Sequence, residues 1–244
     1  MKFLGYWTQI RQGRREAYNA LARLTTAQTC GNAMWITTSS KAEGLTCFME
    51  SDRNLILVTN DIICSEDGVD SSIIPAKVNI LRSRSRMSYP GHCKLLLERY
   101  GTTIPIQLKH TLCEDEHGSK FLSSDLYVND WLKVKHRQGI VQHESAGSST
   151  PSTFYDGKLQ DDLVHALRLN CPSILIRWAS RHRNWPTPNV VKEVVSLGAL
   201  VTPVGIEGSD YEHVEWRICF NSGVNVLVNN LSDAQVKLYG LLKR

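Results

Sequence analysis

The sequence lacks any apolar run near the roughly 18 residues that a membrane-spanning helix needs, so no membrane association is predicted. It also lacks a signal peptide, because Gly5, Gln9 and Arg11 interrupt the apolar stretch at the N-terminus. No CxxC pair and no internal repeat occurs, which excludes the common paired-cysteine zinc motif and repeat architectures. These absences predict a cytoplasmic protein.

The composition is that of a globular protein. Of the 244 residues, 42% are hydrophobic and 21% are charged, which is enough apolar material for a sizeable core in one or two packed units. The net charge of +4 and the isoelectric point near 8.7 permit a polyanionic partner without requiring one.

The seven cysteines are scattered along the chain, which predicts reduced thiols. One set of four residues has the chemistry of a zinc site, namely His92, Cys93, His110 and Cys113, but the spacing within each pair is loose. The alternative is that the cysteines are small buried side chains on strands.

Hydrophobic periodicity indicates a mixed α and β protein. Helices are predicted at 6–24, 174–182, 190–197 and 222–244, and strands at 33–38, 55–58, 73–81, 93–100, 161–169 and 200–204. Loops or turns are predicted at 64–72, 82–86 and, in the low-complexity stretch, 142–153.

The stretch 39–58 contains the residues best suited to chemistry. A serine-rich turn precedes Glu50 and Asp52, which would share one face if the strand that follows extends back to them. Paired carboxylates hold Mg²⁺, and turn hydroxyls can bind phosphate oxygens. Asp162, of the pair 161–162, opens another apolar segment and would supply a third carboxylate. The alternative is that these acids are solvated.

The chain resembles the Mab (male-abnormal) domain family of nucleotidyltransferase-fold proteins, which includes cyclic GMP-AMP synthase and similar receptors. The resemblance covers roughly residues 33–244. It rests on SSKAEG at 39–44, ESDRN at 50–54, YPGHC at 89–93, LSSD at 122–125, DLVHAL at 162–167, CPS at 171–173, RW at 177–178, RHRNWP at 181–186, VTPVG at 201–205 and EWRICF at 215–220.

The resemblance implies an α+β fold. A mixed-sheet nucleotidyltransferase core would occupy residues 1–205, and residues 206–244 would begin a helical lobe that is apparently truncated at its C-terminal end. It further implies transfer from ATP or GTP with Mg²⁺ or Mn²⁺, and an innate immune role as a nucleic-acid sensor.

The family's site residues carry over in part. Ser40 matches the turn serine, whereas Ser39 stands at the family's glycine. Asp52 matches the first acid and Asp162 the third, but Asn54 stands where the second acid belongs. A shifted alignment that pairs Glu50 with Asp52 restores two carboxylates.

Two further expectations come from the family comparison. Lys243 is the counterpart of a basic residue that contacts nucleotide phosphates. Residues 221–244 contain no His or Cys, so no structural zinc ribbon is expected.

Basic and aromatic clusters suggest a second kind of partner. Arginines at two places would bind double-stranded nucleic acid if they form one face; the alternative is a solvated basic surface. They are Arg82, Arg84, Arg86, Arg177, Arg181 and Arg183. Trp178, Trp185 and Trp216 are predicted to pack between the lobes rather than to stack on bases. An exposed acidic loop is predicted at 207–215.

Two functional hypotheses follow. The first is a nucleotidyltransferase of the cyclic-dinucleotide-synthase type, and the second is a catalytically impaired Mab-domain module that binds a nucleotide, a nucleic acid or a protein. Asn54 distinguishes them, because an aspartate there would favour the enzyme.

Overall fold

The computed structural model describes residues 7–47, 50–133, 141–144, 147–154 and 159–242, which form a mixed α/β protein. The helices are α1 (Thr8–Gln28), α2 (Ser39–Ala42), α3 (Ile106–His110), α4 (Ser124–Leu132), α5 (Pro172–Ala179), α6 (Pro188–Leu197), α7 (Asn221–Asn229) and α8 (Asp233–Leu242). The strands are β1 (Ala33–Thr38), β2 (Arg53–Glu66), β3 (Asn79–Arg84), β4 (His92–Arg99), β5 (Leu112–Glu114), β6 (Lys120–Leu122), β7 (Val141–Gln142), β8 (Ser149–Phe154), β9 (Leu159–Asn170), β10 (Ala199–Thr202) and β11 (Glu215–Cys219).

The strands form a single sheet of mixed direction. Its order is β1-β2-β3-β4-β11-β10-β9-β8-β7, with β5 and β6 attached beside β4. An additional parallel pairing joins β2 to β9, so β2, β3, β4, β11, β10 and β9 close a ring. All six of these strands contribute side chains to the main buried cluster. This agrees with the mixed α and β class that the sequence predicts.

The strands predicted around 33–38, 54–58 and 161–167 do lie side by side in one sheet. β1 pairs antiparallel with β2, and β2 pairs parallel with β9 over most of its length. Ile56 and Val58 of β2 and Ala166 of β9 form a second buried cluster with Leu200 of β10, and the half-buried Met34 and Ile36 of β1 pack against it. The three segments that carry the predicted site are therefore adjacent.

Side chains cap the free edge of β1. The hydroxyl of Thr29 bonds to the backbone of Ala33, that of Thr26 accepts from the Trp35 N–H, and the Asn225 amide donates to the Thr37 carbonyl. Capping of this kind protects an edge strand from pairing with another chain. It also ties α1 and α7 to the sheet.

Three predictions about loops were wrong in part. Residues 64–66 end β2, Arg82 and Arg84 lie in β3 rather than in a turn, and 149–153 belong to β8. β8 is hard to find by hydrophobicity because its residues STPST are polar; its pairing with β9 is a long-range interaction.

The segment predicted as an exposed acidic loop contains a buried acid. Glu215 is 1% exposed and lies in β11, where its carboxylate accepts from the Ile206 N–H and the Ser209 hydroxyl. β11 is also flanked by β4 and β10, so the sheet continues past residue 205, where the core was expected to end. Trp216 on the same strand is fully buried and donates its indole N–H to the Leu122 carbonyl at 2.9 Å.

The predicted helices are present with shifted ends, and the C-terminal one divides into α7 and α8. Among the residues that the structure describes, no helix combines the length and the apolar character needed to cross a membrane.

Candidate functional site

Three polar residues form a row across the strands β1, β2 and β9. Thr38 is the register partner of Asn54, and Asn54 is the register partner of Asp162. Register partners point to the same face of a sheet, on strands about 4.8 Å apart. The Thr38 hydroxyl also donates to the Asn54 carbonyl at 3.1 Å, which joins the end of β1 to the start of β2. The Asn54 and Asp162 side chains are therefore neighbours.

An ion pair lies on the opposite face of the sheet, one residue earlier on the same two strands. Arg53 donates from Nε and Nη2 to the two carboxylate oxygens of Asp161, with both distances 2.5 Å. The two side chains are only 18% and 7% exposed, so the pair is largely shielded from water. Asp161 is thereby neutralised by Arg53, and Asp162 is the acid of this pair that faces Asn54.

Asp162, predicted as the third carboxylate, lies beside Asn54, and Arg53 was not among the predicted site residues. The sequence does contain a signal for this pairing. When the two strands run parallel in this register, Arg53 lies opposite Asp161 and Asn54 lies opposite Asp162. Neither the direction nor the register of β2 and β9 can be read from either segment alone.

In the turn after β1, a serine adopts a backbone conformation that is typical of glycine. Ser39 has a φ of +61°, in the left-handed region that favours glycine. This is the position at which Ser39 replaces the glycine of the family that the sequence resembles. The Ser39 side chain is exposed and that of Ser40 is half-buried, and within the described part of the chain neither hydroxyl has a hydrogen-bond partner.

A compact loop connects this turn to β2. Lys41 is 1% exposed, donates from Nζ to the Cys47 carbonyl at 2.8 Å, and lies 5.7 Å from the centre of the Tyr18 ring. Burial lowers the pKa of Lys41. Gly44 is needed here, because its φ is +70° and a Cβ would come within 2.3 Å of the Arg11 carbonyl oxygen.

Glu50 and Asp52 lie outside the strand. β2 begins at Arg53, so the strand alternation expected to put both acids on one face does not extend back to Glu50. Instead, the Glu50 carboxylate accepts from the Cys47 N–H at 2.9 Å, and this hydrogen bond lowers the pKa of Glu50. Asp52 is exposed and directly precedes β2.

Oxygen donors of the kind that Mg²⁺ accepts occur at this edge. Asn54 offers an amide oxygen beside the carboxylate of Asp162, and the exposed carboxylate of Asp52 lies two residues before Asn54 in the chain. In residues 7–47, 50–133, 141–144, 147–154 and 159–242, no three His, Cys, Asp or Glu side chains are grouped to hold a metal. Lys243, predicted to contact phosphate, lies outside the described residues.

The six arginines proposed for nucleic acid differ in their surroundings. Arg82 is paired with Glu98 at 2.5 Å and also donates to the Glu66 carbonyl, and Arg84 pairs with Asp67 at 3.3 Å. Arg183 lies over the Trp178 ring at 4.3 Å. The guanidinium groups of Arg86, Arg177 and Arg181 have no partner in the part of the chain that the structure describes.

The cysteines are all unpaired, and three of them are buried: Cys64, Cys93 and Cys171. Burial raises the pKa of Cys93 and of Cys171 to about 12, and it also raises the pKa of Cys64 well above its usual value. Two of these, Cys64 and Cys93, are small core side chains on strands, as the alternative to a zinc site predicted.

Comparison with known proteins does not assign the chain to a family. The sequence matches no model of a protein family, and a search of curated proteins finds no significant match.

Proposed function

We propose that this protein is of the nucleotidyltransferase fold and binds a nucleoside triphosphate, ATP or GTP, with Mg²⁺ at the edge formed by the Ser39–Ser40 turn, Asp52, Asn54 and Asp162. Nucleotidyl transfer at this site is slow or absent, because position 54 carries an amide in place of a carboxylate. The proposal follows the resemblance to the Mab-domain family.

The observation that carries the proposal is the register of Asn54 with Asp162. The two residues are 108 positions apart in the chain and lie side by side on adjacent parallel strands. On β1, the register partner of Asn54 is Thr38, and the turn that contains Ser39 and Ser40 directly follows it. The positive φ of Ser39 is a second support, because the family has glycine there.

Each residue has a role in nucleotide binding. Asp52 and Asp162 would hold the divalent ion, which supplies charge neutralisation at the phosphates and polarises the α-phosphate when bound. The hydroxyls of Ser39 and Ser40 donate to phosphate oxygens. The Asn54 amide offers an oxygen to the ion or an N–H to a phosphate, but it adds no negative charge. The Arg53–Asp161 pair holds β2 and β9 in the register that places Asn54 beside Asp162.

The missing charge supports the second hypothesis over the first. Two Mg²⁺ ions and a triphosphate are balanced by three carboxylates in a two-metal transferase, and only Asp52 and Asp162 remain at matching positions. We therefore favour nucleotide binding over efficient catalysis. Binding of double-stranded nucleic acid stays a prediction of the resemblance, to be tested by the salt dependence of the affinity.

Equilibrium binding of ATP and GTP tests the proposal. We expect saturable binding that tightens with Mg²⁺ or Mn²⁺, and Asp162→Asn should weaken the metal-dependent part about tenfold or more. Asp125→Asn is the matched control, because Asp125 is an exposed acid on α4. Circular dichroism verifies the fold of each variant. Absence of saturable binding, or an Asp162→Asn affinity equal to that of the control, would overturn the proposal.

A further inference from the structure

An apolar cavity of about 260 Å³ lies between α5, α6 and α7. Its wall includes buried or half-buried side chains from all three helices and from the residue before α7: Ile174, Leu175, Trp178, Val194, Phe220 and Leu227. None of the residues of the β1–β2–β9 row lines it, so it is separate from the proposed nucleotide site.

The close contact of α6 with α7 helps to form this cavity. Gly223 on α7 is buried, and a Cβ at this position would come within 2.9 Å of Cγ1 of Val194 on α6. Glycine therefore sets how near the two helices approach. The next residue, Val224, lines the cavity and is 46% exposed, which places it where the cavity meets solvent.

Two arginines are the only charged residues of the lining. Arg177 and Arg181 are both exposed, and no acidic side chain in the described ranges pairs with either guanidinium. The usual role of basic residues at a helix C-terminus, bonding to the last carbonyls, is filled by Arg183, which donates to the Trp178 carbonyl and covers the Trp178 ring. Arg177 and Arg181 therefore do not fill this role, and their guanidinium groups lie at the rim of the cavity.

We propose that this cavity binds an amphipathic carboxylate of medium chain length, with the alkyl chain among the apolar side chains and the carboxylate at Arg177 and Arg181. Ligand sites are typically apolar cavities with a few polar groups that fix orientation, and guanidinium groups bind carboxylates through charge-assisted hydrogen bonds. The proposal does not depend on the function proposed for the other site.

The size and polarity of the cavity select among ligands. Its volume is slightly below the roughly 300–1,000 Å³ of typical small-molecule pockets, which favours a chain of about ten carbons over long lipids. A neutral alcohol would leave the arginines without an anionic partner, and a cationic amphiphile would be repelled by them. A nucleotide would bury polar groups against apolar walls.

Calorimetry with three ligands of one chain length tests this inference. Decanoate, below its micelle concentration, should bind with one-to-one stoichiometry and at least tenfold more tightly than decanol, and decyltrimethylammonium should bind more weakly than both. Equal affinity for all three ligands, or no saturable binding of decanoate, would overturn the proposal.

Two variants locate the binding. The double variant Arg177→Gln/Arg181→Gln should weaken decanoate binding at least tenfold while leaving decanol unchanged, and Val224→Trp should abolish binding of both by filling the cavity. Lys109→Gln/Lys237→Gln is the control, because it removes two exposed cations elsewhere. Thermal unfolding verifies that every variant folds. If decanoate binds to both test variants as it does to the control, the cavity is not the site.

Discussion

Arg53 and Asp161 form a bidentate ion pair across two parallel strands, one residue away from the pair of Asn54 and Asp162. The two pairs share one register and point to opposite faces of the sheet. The ion pair therefore fixes the alignment of β2 and β9, on which the geometry of the candidate site depends.

Breaking this ion pair should destabilise the protein. Because the pair is largely buried, Arg53→Met or Asp161→Asn alone leaves a shielded charge or polar group without its partner, and we expect a loss of about 3 kcal/mol in the free energy of unfolding. The double variant Arg53→Met/Asp161→Leu should lose much less than the sum of the single losses. Urea unfolding measures all three.

The exposed pair of Arg84 and Asp67 provides the control. Its atoms are 3.3 Å apart and both side chains are more than one-third exposed, so Arg84→Met should cost less than about 1 kcal/mol. Equal losses for Arg53→Met and Arg84→Met would show that the buried pair has no special role.

The left-handed backbone at Ser39 predicts a stabilising substitution. A φ of +61° costs an L-residue about 1–2 kcal/mol, and glycine avoids this cost at the expense of about 0.5–1 kcal/mol of extra chain entropy in the unfolded state. Ser39→Gly should therefore stabilise by about 0.5–1 kcal/mol in denaturant unfolding. Ser40→Gly, at a residue of α2 without positive φ, should instead destabilise. A loss of stability in Ser39→Gly would contradict this account.

An acidic residue at position 54 should make the melting temperature depend on divalent metal. In Asn54→Asp the new carboxylate lies beside that of Asp162, so like-charge repulsion should lower the melting temperature without metal, and Mg²⁺ or Mn²⁺ should restore it. Asn54→Ser should show neither effect. Differential scanning fluorimetry over a metal titration is the measurement.

The same variant tests catalysis. With labelled ATP and GTP, divalent metal and double-stranded nucleic acid, Asn54→Asp should form more product than the unmodified protein, since each 1.36 kcal/mol of transition-state stabilisation is a tenfold rate change. Robust product from the unmodified protein, with no gain in the variant, would show that the amide at position 54 does not limit catalysis.

Alkaline pH should destabilise the protein through its buried thiols. The pKa of Cys93 and that of Cys171 are raised to about 12, whereas an unfolded cysteine titrates near 8.5. The stability due to these protonated thiols is fully present below about pH 8.5 and is lost as the pH rises from there toward 12. Each thiol contributes a slope of about 1.36 kcal/mol per pH unit in that window.

Unfolding measured from pH 8 to 11 tests the contribution of one thiol. Cys93→Ala creates a cavity and therefore lowers the free energy of unfolding at all pH values. As the pH rises, however, this free energy should fall less steeply in the variant than in the parent, by about 1.36 kcal/mol per pH unit. Cys30→Ala, which removes an exposed thiol, should leave the slope unchanged. Equal slopes for the parent and Cys93→Ala would be inconsistent with a protonated core thiol.

Local sequence patterns determined much of the secondary structure. The apolar, β-branched run at 55–58 and the period-2 alternation near 161–169 placed the cores of β2 and β9, and the short apolar run at 33–38 matched β1 to the residue. The same patterns placed Ser39 in the turn after β1, and Asp52, Asn54 and Asp162 just before the apolar stretches of the predicted strands. Periodicity predicts these features because it reports which residues of a short segment share a face.

Only the tertiary structure decided which of these residues meet. The parallel register of β2 with β9 assigned Asp161 to Arg53 and Asp162 to Asn54, and the start of β2 at Arg53 left Glu50 in the preceding turn. Pairing with β9 also made a strand of the polar segment 149–154. These outcomes depend on hydrogen bonds and charges between segments far apart in the chain, and no local pattern of side chains specifies such long-range partners.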